Sequence, residues 1–180
     1  QGKLTEELKK QILAAETMVV VEDLYRPYRP KRRTRAMIAK EKGLEPLAAL
    51  ITLQKAEKPI EVYAEEYVNP EKEVKSVKEA IDGAKDIIAE SVSDEADYRS
   101  WIRKATVQHG KVISQAKDEK AESVYEMYYD FEEPVTRLAG HRVLALNRGE
   151  KEKFLTVKIE APQDDILRYL EKKMIHSENP

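Results

Sequence analysis

Cysteine is absent from the 180 residues, which excludes disulfides, thiolate zinc sites and a cysteine nucleophile. That absence fits a reducing compartment, and the expected location is the cytoplasm. The six glycines are too few for a Gly-rich phosphate cradle, and no P-loop spacing occurs. No stretch of about eighteen apolar residues exists, so neither a membrane-spanning helix nor a membrane partner is expected. The three histidines, His109, His141 and His176, stand apart without ligand spacing, so no metal or cofactor is expected. A signal peptide is likewise missing, and the opening Gln1-Gly2-Lys3 is what a piece of a longer protein is expected to show.

Charge is what the chain has in excess. Charged residues make up 37% of it, against about 25% in an average globular protein. Many of them are Glu and Lys accompanied by Ala, a mixture that favours helix. Start signals follow one another: Thr5 ahead of Glu6 and Glu7, Thr34, Glu45-Pro46, the Ser76–Glu79 capping box, Ser93 and Pro162. The first helix should run from Thr5 to about Leu24, and the second should stop at Gly43, a left-handed C-cap. A short helix is expected over 60–68, and longer ones from Ser76 to about Val92 and from Ser93 to Gly110. Further helices are expected over 118–129, from Pro134, over 141–148 with Gly149 as the stop, and from Pro162 to about Ile175. Alternation of Leu155, Val157 and Ile159 with Thr156, Lys158 and Glu160 marks one strand, and 111–116 reads either way. A lone strand leaves its backbone groups unpaired, so it needs 111–114 or another part of a parent protein as partner.

The fold class is therefore all-α, multihelical, with one short strand or hairpin near 154–160. Two helical subdomains are expected, 1–70 and 71–180, divided at the proline-punctuated 69–76.

Between Arg26 and Lys42 lie eight cations, Arg26, Arg29, Lys31, Arg32, Arg33, Arg35, Lys40 and Lys42, against the single anion Glu41. Of the chain's 32 basic and 34 acidic residues this leaves 24 and 33 elsewhere, so a local charge of +7 sits on a body of −9. Segregation of this kind attracts polyanions even when the net charge is −2. Pro27 and Pro30 stiffen the run. Arg26, Arg29, Lys31, Arg32, Arg33 and Arg35 are the candidate phosphate contacts, with Tyr25 and Tyr28 as candidate stacking platforms. Four to six engaged cations imply a log-affinity against log-salt slope of roughly −3 to −5. The competing reading is that these arginines pair with the chain's own carboxylates or dock against a neighbouring domain, for which guanidinium is equally suited.

Nothing in the sequence supports catalysis. His141 to Glu150 (HRVLALNRGE) lacks a second histidine or an acid pair to complete an acid–base site. Asp164 and Asp165 follow Pro162 as first-turn charges rather than as a metal pair. Trp101 and the nine tyrosines read mainly as packing anchors.

EDLYRPYRPKRRTRAMIAKEKGLEPLA (22–48), IDGAKDIIAESVSDEADYRSWIR (81–103), YDFEEPVTRLAGHRVLALNRGEKE (129–152) and the FLTVKI that follows closely resemble the bacterial Tex family of transcription accessory proteins. The resemblance is collinear over nearly the whole chain. It implies a multi-domain nucleic-acid binder with a helical N-terminal region, a ribonuclease-H-like domain, helix-hairpin-helix motifs and a C-terminal OB-fold that binds RNA. The present chain resembles the helical N-terminal region alone. The implied function is non-catalytic: low-specificity binding of RNA or DNA, with other domains of the parent protein and the transcription machinery as further partners. The alternative is an interdomain or protein–protein scaffold that makes no nucleic-acid contact itself.

Overall fold

The computed structural model describes residues 2–177. Nine α-helices occur among them: α1 (Glu6–Ala14), α2 (Met18–Tyr25), α3 (Arg35–Glu41), α4 (Glu45–Leu53), α5 (Ile60–Ala64), α6 (Val77–Asp94), α7 (Ala96–His109), α8 (Gly140–Lys151) and α9 (Gln163–Met174). Three strands join them: β1 (Lys111–Ala116), β2 (Asp130–Pro134) and β3 (Leu155–Glu160). The fold is mostly helical as expected, but its sheet is larger than one strand. Among the described residues no helix is long and apolar enough to cross a membrane.

The chain divides into two compact units, residues 1–100 with 171–180, and residues 101–170. In the first unit the core draws on α3, α4, α5 and α6, with Ala36, Ala39, Leu44, Leu47, Ala48, Ala64, Val74, Ala80, Ala84 and Ile87 buried. Small residues dominate this set. On α6, Ala80, Ala84 and Ile87 recur at helical spacing and form the stripe on which the shorter helices close. Residues 69–76 lie inside this unit, whose core uses side chains from both sides of them.

Local chemistry explains most boundaries. Thr5, Thr34 and Ser76 accept hydrogen bonds from Leu8, Met37 and Glu79 amides as N-caps, and the Glu79 carboxylate in turn accepts one from the Lys75 amide. Gly43 ends α3 with φ +81°, the left-handed geometry expected of it. The first helix, however, is two. Ala15 turns extended, and Thr17 starts α2 by accepting from the Val20 amide at 3.4 Å. A side-chain oxygen at Thr17 offers the backbone an alternative to helix, so α2 starts anew there after α1 has ended at Ala14.

In the second unit the order β2-β1-β3 is antiparallel throughout, with Val112 opposite Glu133 and Ile159, and Ser114 opposite Phe131 and Val157. The strand near 154–160 thus pairs with 111–116. The helix expected over 118–129 is absent. Tyr125 and Tyr128 are buried there through a short 3-10 turn, Glu126–Tyr128, and the chain enters β2 directly. The reason is the alternation of Phe131 and Glu133 with Asp130 and Glu132, a period of two rather than 3.6. Gly149 is not a helix stop. It lies within α8, and a Cβ there would sit 2.6 Å from Leu155 Cδ1, so glycine permits α8 to seat on β3. Val112, Tyr125, Tyr128, Leu146 and Leu155 form the core of this unit. Trp101 and Tyr169 stack with ring centroids 3.9 Å apart, anchors as expected.

Candidate nucleic-acid interface

The basic run is built from three local structures. Pro27 lies in a 3-10 turn, Arg26–Tyr28, which continues α2; residues 29–34 are extended; Arg35 opens α3 under the Thr34 cap. The extended stretch meets α6, where Asp82, Asp86, Glu90 and Asp94 recur every fourth residue and therefore share one face. Cations and carboxylates meet in antiparallel order. Arg26 Nε donates to Asp94 Oδ1 at 3.0 Å, Lys31 pairs with Asp94 and lies 3.5 Å from Glu90, and Arg35 lies 3.5 Å from Asp86.

These contacts sort the candidate residues into two sets. Asp94 keeps only 12% side-chain exposure and Lys31 20%, so their pair is partly desolvated and anchors the run. Arg26, at 41%, completes the anchor. Nearby, Arg99 Nε donates to the buried Asp23 at 2.8 Å and fixes α2 beside the α6–α7 junction. The outer set is different. Arg29 and Arg32 are exposed and make no ion pair among the described residues. Arg33 reaches Glu41 at 2.7 Å and Arg35 reaches Asp86, but their side chains remain 69% and 86% exposed. Surface pairs of that kind contribute about 0–1 kcal/mol and yield readily to a stronger anion. Lys40 pairs with Glu45 at 3.7 Å and Lys42 donates to the Glu73 carbonyl at 3.0 Å.

A groove of about 770 Å³ follows the run, with Arg29, Arg32, Arg33 and Arg35 on one wall and Asp86, Glu90 and Asp94 on the other. Tyr25 and Tyr28 are 51% and 38% exposed. The six cations all line this groove and the two tyrosines do not, and Arg26 and Lys31 are committed internally. The inner cations are paired with the chain's own carboxylates, and the outer ones are exposed. The α6 acid stripe was not singled out in the sequence, although its four-residue period is visible there.

The HRVLALNRGE segment makes packing contacts. Arg142 donates to Glu133 at 2.8 Å and lies 5.6 Å from the Phe131 ring centroid, and Glu150 accepts from the Val157 amide at 3.3 Å. His109, His141 and His176 are exposed, and Asp164 and Asp165 occupy the first turn of α9. Tyr125 donates to Glu152 at 2.9 Å, and its ionisation is pushed up, first by burial and then by that carboxylate. Lys111 is held above its ordinary value by its hydrogen bond to Glu132.

Residues 54–178 match the family model described as Tex central region-like. The chain belongs to the Tex family. It is 50% identical over 178 residues to the uncharacterized protein YdcI of Bacillus subtilis, covering 97% of this chain and 25% of that one. It is 37% identical to the transcriptional accessory protein Tex of Neisseria gonorrhoeae, over 92% of this chain and 22% of the relative. A human relative, S1 RNA-binding domain-containing protein 1, is 30% identical over 88% of the chain and 17% of its own length. The chain thus spans a quarter or less of these relatives. The family match contains the acid stripe of α6 and begins after the basic run, whereas the B. subtilis similarity extends over nearly all 180 residues.

Proposed function

We propose that this part of a Tex protein is a non-catalytic helical scaffold that contributes a phosphate-contacting basic patch to nucleic-acid binding in transcription. The observation that carries the reading is the division of labour among the cations. Arg26 and Lys31 fix the run to Asp94, while Arg29 and Arg32 are exposed without an ion pair among the described residues and Arg33 and Arg35 are tied only at the surface. Held in this way, four guanidinium groups meet a phosphate backbone with less conformational entropy left to lose than on a free tail. The RNA-binding domain in the name of the human relative and the transcriptional role in the name of the N. gonorrhoeae relative agree with this reading.

Four engaged cations set the expected salt dependence, with a slope of log affinity on log salt near −3 for single strands and somewhat steeper for duplex. Titration of labelled RNA and DNA across a range of salt concentrations measures it. Absence of binding at low salt would remove the patch's contact role.

A second reading has its own observation. No residue of α1 is buried, and Leu4, Leu13, Met18 and Val19 are exposed, so α1 and the start of α2 offer an apolar surface to other domains of the parent protein. Loss of compactness of a full-length Tex protein on changing Leu13→Asp and Met18→Asp supports that scaffold role, and unchanged compactness refutes it.

A further inference from the structure

The two edges of the sheet are built differently. In the order β2-β1-β3, both β2 and β3 leave one row of backbone groups facing outward. The Ala116 amide donates to the Tyr129 carbonyl and the Lys117 amide to the Phe154 carbonyl. Even-numbered residues of β1 therefore bond to β2 and odd-numbered ones to β3. By the same alternation β2 turns the backbone of Asp130, Glu132 and Pro134 outward. A proline without a donor and two acidic residues guard that edge against a further strand. On the other side β3 turns Leu155, Val157 and Ile159 outward. Glu150 accepts from the Val157 amide at 3.3 Å and caps that position. Beyond it the edge is open: the backbone of Ile159 has no outward hydrogen bond among the described residues. Its side chain is 62% exposed, between exposed Lys158 and Glu160.

Lys158-Ile159-Glu160 is self-complementary. An antiparallel second copy, related by a two-fold axis at Ile159, sets Ile159 against Ile159, Lys158 opposite Glu160 and Glu160 opposite Lys158. The two charge pairs fall at positions that share no backbone bond, where facing side chains stand closest. The Ile159 residues exchange their N–H and C=O groups, and each Ala161 amide meets the Val157 carbonyl of the other copy. Ala161 precedes Pro162, which keeps it extended for that role. The Glu150 cap stays in place. A register centred on Val157 needs the amide that Glu150 already holds, and it faces Lys158 with Thr156, which carries no charge. On the same face Lys111 bonds Glu132 and lies opposite Glu160, so the signs already alternate across the sheet. Lys158 of a second copy continues that alternation.

From this open, self-complementary edge we propose that β3 is a homodimerisation strand, through which two copies of the chain join antiparallel, in register about Ile159, into one six-stranded sheet. Such a contact is isologous and closes on itself, so it yields dimers and not fibres. It covers the exposed Ile159 and satisfies the outward backbone groups beside it. Because few residues take part, the association is weak and depends on the two charge pairs for its register. The basic run takes no part in it, so the proposal stands apart from the nucleic-acid reading.

Analytical ultracentrifugation of the 180-residue chain is the test. Between about 10 µM and 1 mM, the range suited to so small a contact, the mass should rise from one chain towards two. Lys158→Glu places Glu opposite Glu twice, and Glu160→Lys places Lys opposite Lys twice. Each change alone should weaken association roughly tenfold or more. Combining the two changes in one chain should restore it. Mixing the two single variants in equal amounts should also give a dimer as tight as wild type, since every facing pair then has opposite signs. Both side chains are exposed, so melting curves of the variants should match wild type. A chain that stays monomeric over the whole range overturns the proposal and leaves the edge to a strand from elsewhere in the parent protein. Association that ignores either reversal, or single variants that do not pair when mixed, overturns it as well.

Discussion

Replacing Asp94 with asparagine should release the basic run from α6, and the size of the effect follows from the geometry. Asp94 ends α6, where the helix dipole disfavours an anion, so its charge is not explained by the stability of that helix. It accepts from Arg26 at 3.0 Å and from Lys31, with 12% side-chain exposure. Hydrogen bonds to charged groups contribute about 1.5–3 kcal/mol each when well formed. Two offsets apply: Lys31 keeps Glu90 at 3.5 Å, and Arg26 is 41% exposed and regains water. The net loss should be about 2 kcal/mol, or a fall in Tm of roughly 4–8 °C for a chain of this size. The control is Glu41→Gln, which removes the partner of Arg33 from a pair 69% and 58% exposed and should cost less than about 0.5 kcal/mol. Thermal melts of the three proteins, with limited trypsin digestion to report cleavage within residues 26–35, make the comparison. If Asp94→Asn melts like wild type with no faster cleavage, or Glu41→Gln is as damaging, the anchoring argument is wrong.

Gly149→Ala should destabilise the protein by about 1–3 kcal/mol, because the added methyl meets fully buried Leu155 at 2.6 Å and Tyr125 at 3.2 Å. Gly140→Ala, with open space around it at the start of α8, should be neutral or mildly stabilising in the same melts. Tyr125 carries a pH signature: its folded pKa is raised above the unfolded value near 10, so the neutral form is favoured by folding. That contribution is complete below about pH 10 and is lost as pH rises through the higher folded value. Tyr125→Phe should therefore flatten the alkaline fall in stability, and melts from pH 8 to 11 would reveal an unchanged fall if the assignment is mistaken.

Helix starts were readable because their causes are local: Thr34 and Ser76 as caps, Gly43 as a left-handed stop. The sheet was less so. β3 alternates clearly, but β1 has the single apolar pair Val112 and Ile113, and β2 has only five residues, DFEEP, with acidic neighbours that mask its period. Gly149 signals a helix end in sequence, and only the approach of Leu155 explains why it sits mid-helix. Within the basic run, charge and proline content were evident, yet the sorting into inner and outer cations depends on where α6 lies. That position is set by alanines 36, 39, 80 and 84, whose small size lets α3 close on α6 and brings Lys31 within reach of Glu90 and Asp94.

The central claim is that the outer arginines are held ready for phosphate and not for the fold. Arg29→Ala with Arg32→Ala separates the two, since neither side chain has an ion pair among the described residues. Stability should change by less than about 0.5 kcal/mol, and the salt slope for single-stranded RNA should become shallower by about 1.4, two phosphate contacts' worth. An unchanged slope and affinity, or a large loss of stability in the double variant, would contradict the account.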